Sequence, residues 1–220
     1  MRGRRHALRS HSRGGHRMNG KRILMLIGEY SEEYEIFVVQ QAMEAVGHTV
    51  HIICPETKKG DRVTTSVHDF GPGVMTWTEH KGHGIEVDVD FDQVDTSDYD
   101  SVYIAGGRGP EYIRTYPRVR EIVREFHRDD KPIASICHGL QVLIAVPEVI
   151  AGKKVSGLFT VEPEVALTDA TYVKIGPKAA LRDGNLVTAE GWTALAAFIR
   201  EYLVLLGTEI VHRDIAQAAE

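Results

Sequence analysis

Short apolar runs alternate with longer amphipathic stretches along this chain. From Arg22 to Ile27 the residues are almost continuously apolar and stop at Gly28. A run too short for a helix and bounded by glycine reads as a strand buried on both faces. Ile36, Val39, Met43 and Val46 then recur at helical spacing, ending at Gly47, before an alternating run from His48 to Ile53. Glycine just past the last periodic residue is a natural helix C-cap, so this stretch predicts a β-α-β unit. The logic repeats with Ser101–Ala105 as strand, Val119, Ile122, Val123 and Phe126 as helical stripe, and Pro132–Ile136 as strand. Strands separated by helices predict a parallel sheet.

Between these units, residues 55–100 are richer in Gly, Asp and Thr, with a short alternating piece at Ile85, Val87, Val89 and Phe91. We expect an inserted hairpin or edge elaboration there. Beyond Cys137 the pattern predicts a helix to about Val146, then short strands near Lys154–Ser156, Tyr172–Lys174 and Leu186–Thr188. A closing helix carries one apolar stripe: Trp192, Leu195, Ala196, Ile199, Leu203 and Leu206. The fold class expected is α/β, a single-domain, flavodoxin-like (class I glutamine amidotransferase-like) doubly wound sandwich with a mostly parallel central sheet. Its domain is expected over residues 21–207, with 208–220 as a C-terminal extension.

Composition adjusts this picture at one end. The first 17 residues hold six arginines, three histidines and no acid, with neither an apolar run nor a period. Residues 1–20 therefore read as a disordered basic tail or a remnant upstream of the natural start. Removing those six arginines from 26 basic residues leaves 20 against 31 acids, a net charge of −11. That balance disfavours nucleic acid and anionic membrane as partners. No apolar run approaches the roughly 18 residues of a membrane-spanning helix, so no membrane partner is expected. Two cysteines 83 positions apart argue against a disulfide framework and a structural zinc cluster, and point to reducing cytoplasm. His48, His51, His68, His80 and His83 show no zinc-ligand motif, so neither metal nor cofactor is expected.

In doubly wound sheets the working site lies beyond the carboxyl ends of the strands. Three loops fall there: Gly28 to Glu35, Gly106 to Glu111, and Cys137 to Gly139. Cys137 stands at an abrupt strand-to-helix turn, where unpaired N–H groups and the helix dipole favour thiolate, so it is the candidate nucleophile. His138, the next residue, can act as its base. Glu32 and Glu33 read as a solvated acidic helix start, whereas Glu35 begins the apolar stripe with Ile36 and can turn inward, where burial raises a carboxyl pKa. Gly106-Gly107-Arg108-Gly109-Pro110-Glu111 is neither a dinucleotide fingerprint nor a Walker loop; it lets the backbone approach a ligand closely. The Gly107 and His138 N–H groups read as an oxyanion hole. Cys54, before Pro55, reads as a core thiol.

Taken together, the three loops resemble the ThiJ/PfpI superfamily, which includes the parkinsonism-associated deglycase and the plant and microbial glutathione-independent glyoxalases. The resemblance runs from about Lys21 to Leu206 and rests on Gly28-Glu29-Tyr30-Ser31-Glu32-Glu33-Tyr34-Glu35, Gly106-Gly107-Arg108-Gly109-Pro110-Glu111-Tyr112 and Ala134-Ser135-Ile136-Cys137-His138-Gly139. Val67-His68-Asp69-Phe70 and Gly82-His83 look similar to the plant-type glyoxalase branch. The resemblance implies Cys137 as nucleophile, Glu35 as the acid beside it, and Gly107 with His138 as oxyanion donors. In the PfpI-like peptidase branch the residue matching Glu111 completes a Cys-His-Glu set from a neighbouring subunit, which implies a homo-oligomer. Ala189-Glu190-Gly191-Trp192 replaces a stretch that shapes a pocket wall elsewhere, so Trp192 and Arg108 are expected at the substrate. The implied function is a cysteine-dependent glyoxalase III that converts methylglyoxal, a 2-oxoaldehyde, to lactate without glutathione. A PfpI-like peptidase, amidase or deglycase is the alternative, and a redox sensor or chaperone the second.

Overall fold

A computed structural model describes residues 20–212 apart from 72 and 74. The basic tail and most of the expected C-terminal extension lie outside the described residues. The first half of the chain gives β1 (Arg22–Leu26), α1 (Glu33–Ala45), β2 (Thr49–Ile53), β3 (Arg62–Asp69), β4 (Thr78–Glu86) and β5 (Ser101–Ile104). Next come α2 (Gly109–Ile113), α3 (Pro117–Arg128), β6 (Ile133–Ile136), α4 (Leu140–Ile144) and β7 (Lys154–Val155). The remainder forms α5 (Glu162–Val165), β8 (Thr171–Tyr172), β9 (Ala180–Asp183), β10 (Leu186–Ala189) and α6 (Leu195–Leu205). No helix among the described residues is long and apolar enough to cross a membrane.

The central sheet has the order β2-β1-β5-β6-β10-β9, with every pairing parallel except that of β9 with β10. Both faces of β1 are covered: Ile23, Met25 and Ile27 join the core packed by α1 and α6, while Leu24 and Leu26 join the core packed by α3 and α4. That is why β1 reads as one unbroken apolar run; each such side chain contributes about 1.5–3 kcal/mol on burial. The inserted segment forms an antiparallel β3–β4 hairpin apart from the main sheet, in keeping with the pattern.

One strand goes unforeseen and one helix stripe needs correcting. The edge strand β9 is not foreshadowed, because its residues are only partly buried and show no apolar alternation. The buried stripe of α6 is Leu195, Phe198, Tyr202 and Leu203, with Leu206 just beyond, whereas Ala196 is exposed and Ile199 half-buried. A 3-10 turn at Trp192–Ala194 precedes α6, so Trp192 lies outside the helix and outside its stripe. Phe198 and Tyr202 pack at tilted angles against Tyr103 of the sheet, and the hydroxyls of Tyr202 and Ser101 lie 2.7 Å apart.

Strand order places the site. The chain leaves β1 for β2 on one side, then resumes with β5 and β6 on the other, so order reverses between β1 and β5. The loops after β1, β5 and β6 therefore meet at the carboxyl end of three neighbouring strands.

Candidate active site

Cys137 follows β6 directly and adopts φ 58°, a left-handed conformation unusual for a residue with a side chain. This turns the thiol out of the sheet and into the loop cluster. Glycine is required opposite it: a Cβ on Gly106 would lie 2.4 Å from Glu35 Oε2 and 2.5 Å from Cys137 Cβ. Gly107, at φ 76°, passes so close to the first loop that a Cβ would meet Glu32 N at 2.3 Å. The backbones lock there, with Glu32 N–H donating to Gly106 O at 3.1 Å and Arg108 N–H to Tyr30 O at 3.0 Å.

Glu35 is fully buried on the inner face of α1. Its Oε2 accepts the Gly106 N–H at 2.8 Å, while Oε1 makes no hydrogen bond of good geometry and has the Cys137 thiol and the Trp192 backbone N–H as neighbours. Burial, and then the charge of Glu32, push the Glu35 carboxyl up to about 8. It keeps its proton at neutral pH.

Burial and the nearby Glu35 also push the Cys137 thiol well up, against the opposing pull of the Gly107 and His138 backbone N–H groups. The expected thiolate at the helix start is thus not the resting form. The reason is twofold: Cys137 is only 8% exposed, and behind it stand a 3-10 turn and a five-residue α4 rather than a long helix with a strong dipole.

His138 Nδ1 lies 3.6 Å from Cys137 Sγ, and its Nε2 lies 3.2 Å from the Thr160 hydroxyl. In the tautomer that donates Nε2–H to Thr160, Nδ1 offers its lone pair to the thiol. Burial, followed by the charge of His68, lowers this imidazole to about 4, so it is neutral and able to accept a proton.

A cavity of about 220 Å³ opens over these groups, lined by Cys137, Gly107 and His138 and walled by Phe70, Trp77, Leu158 and Trp192. Polar wall groups are Glu32, His68, Glu190 and Thr193. Glu32 corrects the reading of a solvated helix start: it is 2% exposed and accepts the His68 N–H at 2.9 Å and the Tyr34 N–H at 3.4 Å. Glu33 is half-buried and accepts from the Thr65 hydroxyl at 2.8 Å. The hairpin folds over the start of α1, which no local pattern announces.

The remaining expected residues separate. Trp192 lines the cavity. Arg108 lies outside it, pairing with Glu79 through Nη2 to Oε1 at 2.8 Å and stacking 4.5 Å over the Tyr30 ring. Glu111 lines an adjoining chamber of about 260 Å³ that also borders His138, Arg108 and Glu164. No hydrogen bond joins Glu111 to His138 among those described. Trp77 is not anticipated; its only signal is an aromatic residue at the end of a glycine-containing loop.

Fold and site together define a flavodoxin-like α/β protein with a buried cysteine at a strand-to-helix elbow beside a protonated glutamate. A profile of the DJ-1/PfpI family matches residues 21–205, and the chain belongs to that family. It is 42% identical to "Protein DJ-1 homolog D" of Arabidopsis thaliana over 193 residues, 87% of this chain and 49% of the relative. It is 28% identical to "Deglycase PfpI" of Pyrococcus furiosus over 185 residues, 84% of this chain and 99% of the relative. The chain thus spans about half the length of the Arabidopsis relatives it matches and nearly all of the archaeal ones. Among solved structures, a two-domain protein from Anabaena variabilis with DJ-1/ThiJ/PfpI-like and ferritin-like domains gives a TM-score of 0.72 at 24% identity, covering 88% of this chain and 50% of that one. A ThiJ/PfpI domain protein from Brachyspira murdochii gives 0.69 at 21% identity, covering 86% of this chain and 97% of that one. These likenesses establish the fold.

Proposed function

We propose that the protein is a cysteine-dependent glyoxalase III that converts methylglyoxal to lactate without glutathione, in carbonyl-stress detoxification. The observation that carries this reading is the convergence of Cys137 Sγ, a neutral His138 and a protonated Glu35 around one small, mostly apolar cavity. Cys137 sulfur adds to the aldehyde carbon as His138 Nδ1 takes the thiol proton, and the Gly107 and His138 N–H groups hold the oxyanion of the hemithioacetal. A base then removes the proton on that carbon, and the neighbouring carbon is reprotonated through an enediolate, which leaves a thioester. Water cleaves the thioester, giving lactate and restoring the thiol. Every proton moved has a group within the site to carry it, and no cofactor enters.

The deglycase names of the archaeal relatives favour a second reading, in which the substrate carries an amine that must leave protonated. The chamber bordered by His138, Glu111 and Glu164 gives such an amine a place. Both readings include self-association in the cytoplasm, and sedimentation at micromolar concentration is expected to give a dimer or larger species. The deciding assay supplies methylglyoxal without glutathione or added metal, with chiral analysis of the lactate. We expect lactate that disappears in Cys137→Ala and in Glu35→Ala. Hydrolysis of glycated or amide substrates with no lactate transfers the assignment to the second reading.

A further inference from the structure

His68 takes no part in the steps above, yet it is 8% exposed, lines the cavity and has both ring nitrogens engaged. Nδ1 meets Glu32 Oε2 at 2.5 Å and Nε2 meets Glu79 Oε2 at 3.1 Å. Arg108 grips Glu79 in turn, at 3.1 Å and 2.8 Å. Anion and cation therefore alternate along Glu32, His68, Glu79 and Arg108, from the wall of the catalytic cavity to the side chamber. Three separate segments supply them: the loop before α1, the β3–β4 hairpin, and the glycine loop. Two of those segments also carry or adjoin Glu35 and Gly107. A buried carboxylate such as Glu32 is tolerated only with a charge and hydrogen bonds to compensate it. A planar ring with donors on opposite sides can bridge two carboxylates at fixed angle, which a lysine cannot.

We propose that His68 is a positioning residue of the active site: by bridging Glu32 and Glu79 it holds the Glu32 carboxylate as a compensated anion in the wall of the cavity that carries Cys137, and it presents its own charge to His138. The charged and titratable groups facing the ring are Glu32 and Glu79, with Arg108 beyond Glu79 and His138 across the cavity. Supporting directions agree. The Glu32 charge is the largest influence on Glu35 after burial, and it acts on Cys137 in the same sense. Burial alone would lower His68, but its bonds to Glu32 and Glu79 outweigh this and raise it, which favours the cation whose charge lowers His138.

The inference uses the proposed function only to name the reacting groups, and its test needs no turnover. In a Cys54→Ser background, the rate of Cys137 alkylation by iodoacetamide is followed against pH for the parent, His68→Gln, Glu32→Gln and the double variant. His68→Gln is expected to raise the midpoint by about one pH unit, a roughly tenfold slower reaction at neutral pH. Glu32→Gln is expected to lower it. The double variant should match Glu32→Gln alone in the Cys137 midpoint, because the Glu32 anion that His68 compensates is already gone. In the same His68→Gln protein the His138 imidazole, followed by NMR, is expected to titrate above about 4. Glu79→Gln, whose side chain is 27% exposed, guards against a misfolded His68 variant and is expected to shift alkylation the same way by less. An unmoved midpoint in His68→Gln and Glu79→Gln overturns the proposal. So does an equal shift from His68→Gln with and without Glu32.

Discussion

Sγ of Cys137 lies 3.6 Å from Nδ1 of His138, its immediate neighbour in sequence. Consecutive residues of a strand point to opposite faces, so the pair meets only because Cys137 leaves the strand at φ 58°. A side chain held there costs on the order of 1–3 kcal/mol, which the packing of β6 against β5 and β10 must offset. Cys137→Ser keeps the shape of the elbow and should preserve the melting temperature while abolishing lactate formation. Cys54 is buried at the end of β2, and burial pushes its thiol up to about 12, so it stays protonated and inert. Cys54→Ser should leave turnover intact but destabilise by about 1–3 kcal/mol through a poorly satisfied buried hydroxyl. Equal loss of turnover in both variants sinks the single-nucleophile assignment.

Glu35 makes stability depend on pH in a definite direction. Its carboxyl rises from 4.5 to about 8 on folding, so between these values the native chain holds a proton that the unfolded chain has released. Stability contributed by the protonated group is therefore complete below pH 4.5 and lost progressively as pH rises to about 8. The difference of 3.5 corresponds to something on the order of 5 kcal/mol. Glu35→Gln stays neutral and nearly isosteric, so it should melt close to the parent at pH 5 and well above it at pH 9. A parent whose melting temperature does not fall across this window would show that Glu35 is ionised throughout.

How far the sequence goes follows from what each feature depends on. Strands β1, β5 and β6 could be read because helices cover both faces, and burial on both sides leaves a continuous apolar run. Cys137, Glu35 and Gly107 could be placed near one another because a parallel sheet with a switch point fixes where its loops converge. The buried stripe of α6 could not, because it is set by which side chains meet Tyr103 of the sheet, and these are Phe198 and Tyr202. Nor could the protonation of Cys137, which is set by dryness around the sulfur rather than by its place at a helix start. Glu32 and His68 lie 36 positions apart and meet only when the hairpin docks on α1, a contact with no local signature.

On the proposed mechanism the dependence of lactate formation on pH should be bell-shaped, with limbs set by His138 and Glu35. His138 is an available base once it loses its proton near 4, and Glu35 remains an acid until about 8. A plateau from about pH 5 to 7 is therefore expected in kcat/KM, with no inflection near 6.5 where an ordinary histidine titrates. Because the thiol gives up its proton during attack, it adds no limb of its own in this range. A midpoint near 6.5 that vanishes in His138→Gln would place the imidazole in a wetter setting than the one described.

Two glycines near the same atoms should respond in opposite ways to an added methyl group. At Gly106 the new Cβ would sit 2.4 Å from Glu35 Oε2 and 3.0 Å from the Ile136 carbonyl. Neither the buried carboxyl nor the strand-end backbone can move aside, so Gly106→Ala should destabilise by about 1–3 kcal/mol or more and lose activity with the fold. At Gly191 the backbone is extended, at φ 166°, a conformation open to any residue. Its Cβ would rest 3.8 Å from Glu35 Oε1 and 3.9 Å from Cys137 Sγ, ordinary contact distances. The methyl would, however, occupy space in a cavity of only about 220 Å³, beside the reacting sulfur. Gly191→Ala should therefore melt within about 1 kcal/mol of the parent while kcat/KM for methylglyoxal falls by about tenfold or more, a loss of orientation rather than of structure. Thermal melts and initial rates on the two variants decide this. Unchanged kinetics in a well-folded Gly191→Ala protein would mean that substrate reaches Cys137 from the side chamber of Glu111 rather than past Trp192.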